Sequence, residues 1–149
     1  MFCSKLVMEL LPNIHLLGMF TMLLTIVFRK RALIPIYLFV FLTGIYGGFA
    51  FWWVPHLYIW TVLWAVTMLL PQNISPKIAA VVYPTICALH GFLYGILYAP
   101  AQALLFGFNF SQTLAWIASG FYFDILHGIG NLFAGLLILP LSKLLIKLS

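Results

Sequence analysis

Charged side chains make up only 6% of this 149-residue chain, and just two of them, Glu9 and Asp124, are acids. Ordinary soluble domains carry about 25% charged residues, so a water-exposed globular domain is the first class excluded. Paired-carboxylate catalysis goes with it. The two cysteines, Cys3 and Cys87, are too few for a disulfide framework or a thiolate metal centre, and Cys87 lies in an apolar run where packing is its expected role. No G-x-x-x-x-G-K-[ST], H-E-x-x-H or G-x-S-x-G motif occurs, so ATP hydrolysis, zinc proteolysis and nucleophile-elbow chemistry lack their parts. The opening MFCSKLVMELLP has no basic n-region, clear h-region or A-x-A-like cleavage site, so no cleavable signal peptide is expected. The apolar runs also lack the two-residue alternation that an outer-membrane barrel requires.

What is present is apolar: 65% hydrophobic and 17% aromatic residues, with a mean hydropathy of +1.16. The fold expected is an all-α membrane protein, a single transmembrane domain over residues 1–149. Five full transmembrane helices are placed near 14–28, 32–49, 55–70, 78–105 and 122–147. A short or truncated N-terminal helix covers residues 1–11 and ends at Pro12; at about 1.5 Å per residue it reaches only half the hydrocarbon core. Pro84 and Pro100 are expected to bend or break helix 78–105. Gly44-x-x-x-Gly48 and Gly91-x-x-x-Gly95 are expected to allow close helix approach.

Six of the seven bases fall in Arg29-Lys30-Arg31, at Lys77, and at Lys143 and Lys147. The positive-inside rule puts all three regions in the cytoplasm. Loops near 12–13, 47–54 and 106–121 then face outward, and the expectation is a multi-pass cell-membrane protein with its carboxyl terminus in the cytoplasm. Nucleic acid is excluded as a partner, because the bases mark segment ends. Counting about 1.5 Å per residue from the lysines puts Asp124 at the outer edge, with His127 and Asn131 one and two turns deeper. The same count sets His90, Tyr94 and Tyr98 in the outer half. His56 and Trp60 join them there, with Trp64 below, and Glu9, Asn13 and His15 lie on the same side. Polar and aromatic groups thus form a one-sided cup; a relay across the membrane would need them at successive depths.

Each candidate has two readings. Asp124 follows Gly120 in the first turn expected for its helix, where a carboxylate caps unpaired N–H groups or contacts a ligand. His127 and Asn131 continue that stripe as ligand contacts or as interhelical hydrogen-bond donors. His90, Tyr94 and Tyr98, four residues apart, form a pocket wall or a packing ridge. Trp53, His56 and Trp60 lie in FWWVPHLYIW, which reads as an interfacial aromatic belt and also as a stacking surface for a flat heteroaromatic ligand. The four histidines stand 41, 34 and 37 residues apart and offer no local ligand pair, so neither metal nor cofactor is expected.

The RKR turn followed by ALIPIYLFVFLTGIYGGFAFWWVPHLYIWTVLW, and later SGFYFDILHGIGNLFAGLLILPL, resembles the substrate-binding S components of energy-coupling factor (ECF) vitamin transporters. The resemblance covers most of the chain from about residue 10 onward. It implies a six-helix membrane protein that holds a vitamin-like small molecule near the outer face. The implied partners are a membrane coupling subunit and two ATPase subunits, whose ATP use topples the loaded subunit and carries the ligand inward. The implied binding residues are Trp53, His56, Trp60, His90, Tyr94, Asp124, His127 and Asn131. The chain departs from that family in its first helix, which there spans fully and carries small residues at four-residue spacing; truncation at the start is the expectation here. No enzymatic activity is expected. Two alternatives stand beside this reading: a small membrane enzyme using Asp124 and His127 on a lipid or isoprenoid substrate, and a scaffold subunit without ligand.

Overall fold

Two of the longer helices begin on side-chain caps. In the computed structural model, which describes residues 1–7 and 15–148, every regular element is helical. The α-helices are α1 (Phe2–Val7), α2 (Leu17–Phe28), α3 (Leu33–Gly47), α4 (His56–Met68), α5 (Pro76–Phe92), α6 (Tyr94–Phe106), α7 (Phe110–Gly135) and α8 (Ile138–Leu148). Single 3₁₀ turns cover Arg29–Ala32 and Phe51–Trp53. Ser75 caps α5, its hydroxyl accepting the Ile78 N–H, and Pro76 supplies the first turn. Gly107 ends α6 in the left-handed conformation at φ 68°. Two residues later Asn109 and Gln112 exchange side-chain-to-backbone hydrogen bonds of 2.9 Å each, a capping box that starts α7.

That start overturns the expected outward loop at 106–121. The polar residues Ser111, Gln112 and Thr113 lie inside helix, and α7 runs about 39 Å from Phe110 to Gly135. Asp124 therefore sits mid-helix, about 22 Å from Asn109, and not in a first turn at the outer edge. The segment expected at 122–147 divides: α7 and α8 meet at an angle of 46°. Pro84 and Pro100 do not break their helix; the interruption falls between them at Leu93. Residues 12–13, Pro12, Glu9 and Asn13 lie outside the described residues.

α5 and α7 form the most intimate pair. A Cβ on Gly91 would stand 2.8 Å from the Gly128 Cα, the Gly128 N and the His127 carbonyl oxygen, so backbone meets backbone. A Cβ on Gly95 would collide with the Asp124 carboxylate. Both glycines of the second spaced pair thus face α7, as expected of a close-approach motif. The first pair does something else. Gly44 makes room for the ring of Phe49 in the turn that follows its own helix, and Gly48 ends α3 at φ 84° with open space around it.

α2 lies against α4, α5, α7 and α8. One apolar cluster joins Met19, Met22, Leu63, Tyr83, Cys87, Ala134 and Ile138; a second joins Leu17, Ile36, Phe39, Val40 and Trp60. Polar side chains are buried beside these apolar clusters, and large apolar side chains cover much of the exterior. Thr21, Thr25, Thr43, Thr67, His127 and Asn131 are buried, whereas Leu69, Leu104, Ile34 and Phe133 are 85%, 86%, 71% and 66% exposed. Among the described residues, Pro76–Phe106 is long and apolar enough to cross a membrane, and the bent pair Phe110–Gly135 and Ile138–Leu148 makes a second candidate span. α2, α3 and α4, at 12, 15 and 13 residues, are individually shorter.

Candidate functional site

All four histidines meet although no two are close in sequence. α4 presents His56 and Trp60 one turn apart, α5 ends with His90, α6 begins with Tyr94, and α7 brings His127. Trp60, 1% exposed, is the centre. Its ring lies 6.2 Å from His15, 6.4 Å from His56, 5.6 Å from His90, 6.1 Å from Tyr94 and 6.2 Å from Phe39. The His127 ring is held between His15 at 4.6 Å and Tyr94 at 4.7 Å. Tyr98 continues the row, 6.0 Å from Tyr94 and 6.3 Å from His56, and stacks on Trp116 at 5.8 Å.

The hydrogen bonds fix two tautomers. A carbonyl oxygen only accepts, so His90 Nε2, 3.2 Å from the Ile59 carbonyl, carries the proton and leaves Nδ1 as an acceptor. His56 Nδ1 donates to the Trp52 carbonyl at 3.1 Å, which makes Nε2 the acceptor for the Tyr94 hydroxyl at 3.4 Å. Asn131, fully buried, donates through Nδ2 to the Cys87 carbonyl at 3.2 Å. Five further buried polar atoms of this cluster have no hydrogen-bond partner among the described residues: His15 Nδ1, Trp60 Nε1, His90 Nδ1, His127 Nε2 and Asn131 Oδ1. Buried polar groups are paired in the great majority of proteins, because each one left unpaired costs about 1–3 kcal/mol. Their concentration around one ring marks this place as unlike the rest of the interior.

Asp124 has a different role from the one its position predicts. Its Oδ1 accepts the Gly95 N–H at 3.0 Å, so the carboxylate caps the first turn of α6 and not its own helix. This bond explains the break at Leu93: the amide that would continue the α5 ladder is turned to α7. Asp124→Ala would leave that N–H buried without an acceptor and is expected to cost about 1–3 kcal/mol. Thermal unfolding in detergent reads it. Asp124→Asn, which keeps an acceptor oxygen, should lose less, and a midpoint for the alanine variant equal to the parent's would refute the capping role. No hydrogen bond joins Asp124 to His127.

Of the eight residues expected in the site, His56, Trp60, His90, Tyr94 and His127 form the ring cluster, with Asn131 beneath them beside Gly18 and Cys87. Asp124 stands one turn from His127 and supports the cluster through Gly95. Trp53 is set apart: its indole N–H donates to the Val40 carbonyl at 2.8 Å and its ring rests on Phe49 at 5.0 Å. His15 joins the site without having been among those eight, although depth counting had put it on the same side. His90 also forms part of the wall of an apolar groove of about 220 Å³ between α4 and the α5–α6 segment. Among the described residues no group of three His, Cys, Asp or Glu side chains is arranged to hold a metal ion. No known family, curated protein or solved structure matches the chain.

Proposed function

We propose that this chain is the substrate-holding subunit of a membrane importer, a six-helix protein like the S components of ECF transporters, with its carboxyl terminus in the cytoplasm. Its shorter helices complete a bundle of five spans whose apolar exterior faces lipid. The observation that carries the reading is the convergence of three imidazoles and a tyrosine on Trp60, with His127 packed on His15 and Tyr94, and with five buried polar atoms, one of them on Asn131, that have no partner among the described residues. The set contains a donor in the Trp60 indole N–H and acceptors in His90 Nδ1 and Asn131 Oδ1, and it contains no lysine or arginine. It suits a small, flat, uncharged or weakly cationic heteroaromatic molecule, such as a B-type vitamin or precursor, bound by stacking and by both kinds of hydrogen bond. The chain has no phosphate loop, so energy comes from a coupling subunit and two ATPases in other chains.

Native mass spectrometry of gently extracted protein tests this. One heteroaromatic molecule per chain is expected. His127→Phe and Asn131→Leu keep the packing volume but remove the polar atoms, and each should lower ligand affinity about tenfold to a hundredfold. Unchanged occupancy in both variants would discard the site, and turnover of an added isoprenoid or lipid would favour an enzyme instead.

A further inference from the structure

At the opposite end of the bundle from the Asn109 tip, the basic turn after α2 borders two cavities. The first, of about 230 Å³, is lined by the polar residues Arg29, Gln72, Thr67 and Tyr83 together with the apolar Ile26, Val27, Leu70 and Ile146. The second, of about 510 Å³, opens beside it under Arg29, Lys30, Arg31 and Gln72. Arg29 and Gln72 belong to both. Arg29 is the one non-glycine residue with positive φ among the described residues, at φ 53° and ψ −122°. A side chain rarely tolerates that region. It is held there from both ends: the Arg29 carbonyl accepts the Trp64 indole N–H at 3.2 Å, and the guanidinium donates to the Met68 carbonyl at 2.8 Å. One such bond leaves guanidinium donors to spare.

Among the described residues no carboxylate pairs with these bases. Of the two acids in the sequence, Asp124 is committed to Gly95, and Glu9 lies outside the described residues. Three consecutive bases therefore face a half-polar, half-apolar recess with no described carboxylate to neutralise them.

We infer that this recess binds the phosphate headgroup of an anionic phospholipid, with Arg29 and Arg31 on the phosphate and an acyl chain along Ile26, Val27 and Ile146. The shape decides for lipid over a free anion, because a phosphate alone would leave the apolar wall unused. The anchored guanidinium presents a fixed donor where a mobile lysine would present only a diffuse charge. The inference rests on the membrane placement proposed above but is independent of the imidazole cluster.

Native mass spectrometry of the intact chain, released from micelles doped with phosphatidylglycerol or phosphatidylcholine, tests it. Phosphatidylglycerol should be retained and phosphatidylcholine not. The double variant R29Q/R31Q should lower phosphatidylglycerol retention about thirtyfold, two basic residues' worth of attraction. The charge-matched double variant K77Q/K143Q should change it less than about twofold. K30Q/R31Q, which leaves Arg29 and its two backbone bonds in place, should still weaken retention measurably if R29Q/R31Q folds poorly. Equal losses in R29Q/R31Q and K77Q/K143Q would show diffuse attraction only and overturn the site. Displacement of the lipid by inorganic phosphate would overturn the lipid assignment, as would a co-purified acidic membrane polypeptide occupying the same face. A chain that needs no detergent would instead fail the membrane placement itself, and loss of the heteroaromatic ligand leaves this test unaffected.

Discussion

Gly91→Leu should cost at least about 3 kcal/mol, at the upper end of overpacking penalties, because the obstacle is backbone and not a rotatable side chain. The nearest atoms to a Cβ at this position belong to Gly128 and the His127 carbonyl, all at 2.8 Å, and α7 has to move bodily to admit it. Gly91→Ala makes the sign of the effect informative. In a helix interior alanine is favoured over glycine by about 1 kcal/mol, so propensity alone predicts stabilisation, whereas the contact predicts loss. Gly120 lies in the same α7 with nothing within 4 Å of a built Cβ. Gly120→Ala should therefore gain about 0.5–1 kcal/mol. Equilibrium unfolding in mixed micelles reads all three variants. Stabilisation by Gly91→Ala would mean that α5 and α7 are not in backbone contact.

Trp60→Ala is the second large effect, expected to cost about 3 kcal/mol and to abolish ligand retention. In a bilayer the transfer term of ordinary core mutations shrinks, since lipid replaces water outside the bundle, and the lost dispersion contacts and the cavity dominate. Five rings rest on this indole, four of them from outside α4 and the fifth, His56, from its first turn. Trp60→Phe keeps a flat surface and removes the N–H, so it should retain most of the stability while weakening the ligand by one hydrogen bond. A loss below about 1 kcal/mol for the alanine variant would show that the neighbouring rings close over the gap.

How much of this was legible in the sequence can be argued residue by residue. His90 and Tyr94, and His127 and Asn131, stand four apart in the sequence, so each pair shares a helical face, and the rings of His90, Tyr94 and His127 do join one cluster. The sequence places His15 on the same side but not among the site residues, and its ring packs on His127 and Trp60. Asp124 falls in a first turn on the sequence reading because the segment from 106 to 121, with Ser111, Gln112, Thr113 and Gly120, reads as a loop, although Asn109-x-x-Gln112 is a capping-box signature. The break at Leu93 had no local signal. It depends on a carboxylate 31 residues away that captures the Gly95 amide, while Pro84 and Pro100, the residues that usually interrupt helices, are accommodated within them. The two G-x-x-x-G pairs are identical as patterns, and only the tertiary neighbours separate the pair that docks a helix from the pair that seats Phe49 and ends a turn.

The glycine contact between α5 and α7 also has a mechanical meaning. Two rods touching through their main chains move as one body, so that side of the ring cluster behaves as one stiff wall. The opposite side is stitched by single hydroxyls, Tyr58 to the Leu97 carbonyl at 2.6 Å and Tyr98 to the Trp52 carbonyl at 2.7 Å, across the groove that His90 borders. Any opening of the ring cluster therefore begins along α4, with the tyrosine latches giving way before the glycine weld.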